Sequence, residues 1–296
     1  MLARAVSALL VCLLWVAAPG CDKAQSDSIR LSNQGMKALG ASQIRTAKLR
    51  FTEAITVNAD NANAHYGLGV CYLELSQPER AAQHLAEAVR LKPALTEANF
   101  HLGSIAFQSK HLDEAETKLR LVLENEAEHS AAHDLMGRIH EQRGELKEAE
   151  VAFRRAIQLD AYQPTTFLSL ARLYLRVEAE DAAEAVLREG LRHNTINTTR
   201  SSAELSLLHN ELGIMLQQAG NYATAVDELL QAVRLPGARP EVVFNLGWAY
   251  ASRGDAEMAL KYFNQYVALV DNHDPMATVA LDVTRHLSHR IKRAAN

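Results

Sequence analysis

Cysteine is scarce in this 296-residue chain: three occur, at Cys12, Cys21 and Cys71. Three thiols at these spacings make no disulfide framework. An excess of one charge is also lacking. Lys and Arg number 31 against 35 Asp and Glu, a formal net −4, which gives no footing for nucleic-acid binding. No apolar run beyond the first twenty residues is long enough to span a bilayer. Catalytic signatures are missing too: there is no nucleophile elbow, phosphate-binding loop or kinase signature. His140-Glu141 is not followed by a second His four residues after the first, as the zinc-protease motif needs. What remains is the composition of an ordinary soluble domain, 22% charged, and a period.

Gly35, Gly69, Gly103 and Gly137 stand 34 residues apart, the register continues to Ala171, slips by eight, and resumes at Gly213 and Gly247. Twelve residues after each comes alanine: Ala47, Ala81, Ala115, Ala149, Ala183, Ala225 and Ala259. Sixteen after comes a large apolar residue: Phe51, Leu85, Leu119, Phe153, Leu187, Leu229 and Phe263. Nineteen after comes a small one, Ala54, Ala88, Val122, Ala156, Gly190 and Ala232, with Tyr266 as the exception. Small residues are needed where helix backbones approach closely, and the large ones share a face at helical spacing. Arg143-Gly144-Glu145, Ala219-Gly220-Asn221 and Arg253-Gly254-Asp255 read as turns that stop a first helix. Each unit is then two antiparallel helices that cannot bury their apolar faces alone, so neighbours must stack.

Seven units follow, starting near Ser28, Ala62, Thr96, Ser130, Pro164, Ser206 and Pro240. This pattern resembles the tetratricopeptide repeat over residues 28–271. The expected fold is all-α: a right-handed solenoid of about seven helical hairpins, with repeats one to five in 28–193 and six and seven in 206–271. Residues 194–205, rich in Ser, Thr and Asn, contain the slip and read as a loop insertion, neutral or a hinge. Residues 272–296 read as a capping helix, with Met276, Val279, Ala280, Val283, Leu287 and Ile291 as its apolar stripe and basic residues at its end. A basic membrane-surface helix is the alternative, made less attractive by Asp282 and by Ser288 and Thr284, which are expected to be exposed.

The start of the chain reads as an address. Residues 1–20 carry one charge, Arg4, and a 14-residue stretch from Ala5 to Ala18 that is apolar except for Ser7. It reads as a signal peptide, too short to span a bilayer. Its removal leaves 30 basic and 35 acidic residues, a net −5. Ala18-Pro19-Gly20-Cys21 resembles a bacterial lipoprotein box, although Ala18 stands where Leu is usual. The resemblance implies lipidation at Cys21; plain signal removal, leaving a soluble periplasmic protein, is the alternative. Residues 21–27 would then form a lipidated tether, the six after Cys21 reaching at most about 20 Å. The outer membrane is preferred; Asp22 resembles the inner-membrane retention signal of enteric bacteria. Cys12 leaves with the signal, and Cys71 is read as packing.

His129, His133 and His140 share one helix face, but His133 occupies the repeat position also held by His65 and His209. Recurrence at one position marks packing, and no convergent acid or second shell is evident. No metal, cofactor or small-molecule substrate is expected, and the chain reads as non-enzymatic.

In the repeat family, first helices line a concave groove at the second, fifth, sixth, ninth, twelfth and thirteenth positions of each unit. By that resemblance the partner-binding residues are Tyr66, Val70, Leu73, Phe100 and Phe107, then Arg138 and Arg172, then Phe244 and Trp248. The groove is expected to be apolar, then basic, then aromatic. Ser32 and Met36 replace the clamp that chaperone-type repeats use for a terminal carboxylate. The whole architecture resembles the type IV pilus pilotins, lipoproteins that help an outer-membrane secretin assemble. The implied partners are a secretin subunit and the membrane, through the lipid anchor. The rival reading is an adaptor for peptidoglycan-remodelling or other envelope complexes.

Overall fold

The computed structural model describes residues 19–194, 202–271 and 273–295. Most of the expected signal, residues 1–18, and residues 195–201 of the insertion lie outside them. The described residues form fifteen helices and no strand. The first helices of the hairpins are α1 (Pro19–Gly40), α3 (Ala62–Glu74), α5 (Thr96–Gln108), α7 (Ser130–Arg143), α9 (Pro164–Arg176), α11 (Ser202–Gln218) and α13 (Pro240–Arg253). Their second helices are α2 (Ile44–Val57), α4 (Pro78–Leu91), α6 (Leu112–Asn125), α8 (Leu146–Leu159), α10 (Glu180–Asn194), α12 (Tyr222–Arg234) and α14 (Ala256–Leu269). The helix α15 (Pro275–Ala295) follows. This is the expected hairpin-repeat architecture with its added helix.

The periodic residues explain the packing. All seven periodic alanines are fully buried, as are the seven large residues four positions later. The periodic glycines face those large residues. A Cβ on Gly137 would lie 2.7 Å from the Phe153 ring, and one on Gly213 would lie 2.6 Å from Leu229 Cγ. Glycine is there because the first helix rests directly on the neighbouring side chain. Three units add a polar lock that the period does not reveal. The Ser28, Ser130 and Ser206 hydroxyls donate to the Ala54, Ala156 and Ala232 carbonyls, at 2.8, 3.0 and 2.9 Å.

The turn inside each hairpin is uniform in a way the sequence hides. Gly144, Gly220 and Gly254 adopt positive φ, as expected of helix-stopping glycines. So do Ser42, Ser76, Lys110 and Glu178, at φ 55–62°. These seven residues share the fifteenth position of the repeat, so the left-handed turn is imposed by the hairpin whichever residue occupies it.

Two compact units are defined by packing, Met1–Asn125 and Glu126–Asn296. In the first, Phe51, Ala54, Leu68 and Cys71 form one core and Leu85, Ala88 and Leu102 another. In the second, Phe167 and Leu187 from repeat five share a buried core with Leu208 and Leu212 from repeat six. The hydrophobic core therefore runs across the insertion.

One local feature refines expectation and another corrects it. Residues 21–27 are helical, continuous with the first helix of repeat one, so the expected tether spans about 10 Å at 1.5 Å per residue, well inside the upper limit of about 20 Å. On α15, Met276 and Val279 are exposed, while Ala277, Ala280, Thr284 and Leu287 are buried. Ala280 and Leu287 pack with Phe263 and Tyr266. Small side chains let the α15 backbone sit close to those rings, so close approach rather than hydrophobicity selects the inward face.

Candidate functional site

The groove positions follow from helix geometry: residues three and four apart on one first helix share a face, and the hairpin hides the opposite face against the second helix. In the first compact unit that face carries a strip of apolar side chains among polar ones. Tyr66, Val70, Leu73 and Phe100 are half-buried. Tyr66 and Leu73 pack against the core built on Leu85 and Leu102, and His101 lies between Tyr66 and Phe100, with ring centroids at 6.0 and 5.8 Å. Burial, with a smaller contribution from Glu97, raises the Tyr66 hydroxyl above its ordinary pKa. Phe107 differs: it is 7% exposed and belongs to the core. Ile29 and Met36 on α1, 48% and 43% exposed, sit at the second and ninth positions of repeat one. Met36 is where the carboxylate clamp is missing, and Ile29 was not singled out by the sequence. Both extend the apolar strip onto α1, which packs on α3.

In the second compact unit, groove positions join successive first helices through polar pairs. Arg176 meets Glu141 at 3.1 Å and Arg172 meets Glu211 at 3.0 Å. Asn245 donates to Asn210 at 2.8 Å, and Gln217 to Ser252 at 3.1 Å. Arg172, one of the two basic candidates, is thus charge-balanced by Glu211, as Arg176 is by Glu141. Arg138 is exposed beside Asp134. Burial raises the Asp134 carboxyl, opposed by a hydrogen bond from Thr166 and by the Arg138 charge.

The aromatic candidates do converge. Phe244 stacks near Trp248 with centroids 6.3 Å apart, and both rings meet Phe263 edge-on, at 5.4 and 5.9 Å. Phe244 also meets Tyr266 at 5.2 Å. Phe244 is held in place by this core, whereas Trp248 is 45% exposed.

The histidines at the fourth repeat position serve the fold. His65 Nε2 lies 3.1 Å from the Ala59 carbonyl oxygen and His133 Nε2 lies 3.0 Å from that of Ala127. His209 meets Glu228 at 2.7 Å. Among the described residues, no group of three or more His, Cys, Asp or Glu is placed to hold a metal ion. Cys71 is buried, and burial pushes its thiol up to about 11, which keeps it protonated and unreactive. No helix among the described residues is long and apolar enough to cross a membrane.

Stacked helical hairpins with an exposed lining of first-helix side chains define a repeat scaffold of the protein-binding class. The chain belongs to the tetratricopeptide repeat family: residues 13–166 match the family described as "Tetratricopeptide repeat protein 21 C-terminal ARM domain", and residues 210–274 match "Tetratricopeptide repeat". Over 60 residues it is 42% identical to the photosystem I assembly protein Ycf3 of Rippkaea orientalis (strain PCC 8801 / RF-1). That match covers 19% of this chain and 35% of the relative, so the chain spans about a third of that protein's length. Among solved structures, the APC/C hetero-tetramer Cut9-Hcn1 matches at TM-score 0.65 and 15% identity, covering 90% of this chain and 54% of that one. A tetratricopeptide repeat protein from Parabacteroides merdae ATCC 43184 matches at 0.63 and 13%, covering 88% and 99%. Pseudomonas aeruginosa pilF matches at 0.50 and 16%, covering 92% and 99%. At these identities the likeness is one of fold.

Proposed function

We propose that the protein is a lipid-anchored adaptor of the bacterial envelope that holds an apolar segment of a protein partner in its groove, and that it acts as a pilotin for a type IV pilus secretin at the outer membrane. The observation that carries this reading is the apolar strip Ile29, Met36, Tyr66, Val70, Leu73 and Phe100 on three successive first helices, none of them fully buried. A helical or extended segment lays alternate or i, i+3, i+4 anchors into such a strip. The lipoprotein-like box before Cys21 supports the anchor. Cys21 stands in the first turn of α1, so an acyl chain there would hang from the helix that carries Ile29 and Met36. A partner in the strip would then be held close to the membrane, as secretin delivery requires. The pilF likeness supports the architecture of this reading and nothing finer.

The test uses tagged full-length protein, solubilised from membranes, beside the variant Met36→Ser/Tyr66→Ser/Phe100→Ser. Phe107 is left intact because it is core. Aromatic anchors contribute roughly 2 kcal/mol or more each when they hold a partner, so the folded variant is expected to lose the secretin multimer that the parent retains. A variant with parental helicity and melting that still retains the secretin would defeat the groove reading. A peptidoglycan hydrolase recovered in place of a secretin would defeat the pilotin reading and favour the rival adaptor role.

A further inference from the structure

The outward face of α15 is strongly cationic. Its inward side, Ala277, Ala280, Thr284 and Leu287, is buried. The opposite side carries Arg285, His286, His289, Arg290 and Arg293, which with Asp282 line a shallow hollow of about 620 Å³. A second hollow of about 280 Å³ adds Lys292 and runs against Leu260 and Asn264 of α14. Asp282 is the one carboxylate lining either hollow, and it pairs with Arg285 at 3.1 Å. Three arginines and a lysine thus face outward along about 12 Å of helix, opposed by one acid.

We propose that this face of α15 docks on an anionic phospholipid surface. The helix dipole explains cations only within the last turn. Lys292 and Arg293 lie there, but Arg285 stands ten residues before the helix end. The hollows are shallow and lie along one exposed helix, whereas recognition of a peptide uses a groove between helices or a sheet edge. A membrane asks only for cations on a plane. Guanidinium forks match phosphate oxygens, two bonds at a time. Met276, Val279 and Leu281 are exposed on the same helix and can rest at the headgroup boundary while Arg285 to Arg293 meet phosphates. Each cation close to an anionic leaflet strengthens attachment roughly fivefold. Four of them against one acid give about a hundredfold preference for anionic over neutral lipid.

The test is vesicle flotation of the full chain carrying Cys21→Ser in every arm, so that acylation contributes to none. Vesicles are 30% phosphatidylglycerol in phosphatidylcholine, or phosphatidylcholine alone. The expected result is about a hundredfold tighter binding to the anionic vesicles at low salt, weakened by 0.5 M NaCl through screening. Arg285→Gln/Arg290→Gln/Lys292→Gln/Arg293→Gln alters only outward-facing groups and is expected to abolish the preference with melting unchanged. Asp282→Asn is expected to raise it about fivefold, a gain that misfolding cannot mimic. Equal binding to both vesicles, a preference that survives the fourfold variant, or no gain from Asp282→Asn would overturn the proposal. So would binding of a poly-glutamate peptide without binding of anionic vesicles, which would make the face a dock for an acidic protein.

Discussion

The Tyr266 hydroxyl donates to Asp274 Oδ1 at 2.9 Å, and the same carboxylate oxygen accepts the Met276 and Ala277 amides at 2.8 and 3.3 Å, capping α15. Six repeats hold a small residue where the seventh holds Tyr266. In those repeats the slot must admit close neighbours. After the seventh repeat comes α15, and the ring fills the slot while its hydroxyl fixes the start of that helix. Burial first, then Asp274, pushes this phenol up to about 12.

Tyr266→Phe keeps the ring and removes the bond. It is expected to cost about 1 kcal/mol, a drop of roughly 2–4 °C in Tm, with faster amide exchange in α15. The raised pKa adds a pH signature. The native phenol stays protonated longer than the unfolded one, so its stabilisation is full below pH ~10 and is lost as pH rises toward about 12. The Phe variant should lose the part of the alkaline decline due to this group, seen as a flatter plot of urea midpoint against pH.

The shared left-handed turn makes a second expectation. Ser76, Lys110 and Glu178 hold positive φ without being glycine, a conformation that costs an L-residue roughly 1–2 kcal/mol. Glycine removes that cost and adds back some unfolded-state entropy. Lys110→Gly and Glu178→Gly should each stabilise by about 0.5–1 kcal/mol, and Gly144→Ala should destabilise by a similar amount. A fall in Tm for both glycine variants would contradict the imposed-turn account.

Gly213→Ala places a methyl 2.6 Å from Leu229 Cγ and 3.3 Å from the Ala225 carbonyl oxygen. The backbone oxygen has little room to move, so the expected loss is about 1–3 kcal/mol. Leu229→Ala relieves the clash with Leu229, so the two changes together should cost less than their sum. Strict additivity in denaturant midpoints would mean that the helices separate freely.

His84 is expected to make the first unit acid-sensitive. Its Nδ1 lies 3.2 Å from Nδ1 of His65, and its ring stacks on Tyr72 with centroids 5.5 Å apart. Burial first, then the His65 charge, holds its pKa below the usual histidine value. The folded state therefore resists a proton that the unfolded chain accepts. The stabilisation is present above pH ~6.5 and is lost as pH falls through the lower native pKa. His84→Gln should flatten stability against pH below 6.5 in urea titrations; an unchanged acid slope would exclude His84 as its source.

Which candidate residues share a first-helix face was legible in the sequence, because helical spacing sets it. Exposure on that face was not. Phe100 and Phe107 belong to one helix and one expected face, yet one is half-exposed and the other is core, because neighbouring helices crowd them unequally. Arg172 was expected to contribute positive charge, but Glu211, 39 residues away, neutralises it; only stacking makes them neighbours.

The sequence by itself determined the helical-hairpin repeat, its 34-residue period and its close-packed alanines and glycines, because each depends on local helix geometry and on side-chain size at a recurring contact. Only the tertiary structure decided the left-handed turn shared by Ser76 and Gly144, the inward face of α15, the ladder of pairs between first helices and the reach of the apolar strip onto Ile29 and Met36. Those depend on which atoms of separate helices come within a few ångströms, and the spacing of residues along one chain does not carry that distance.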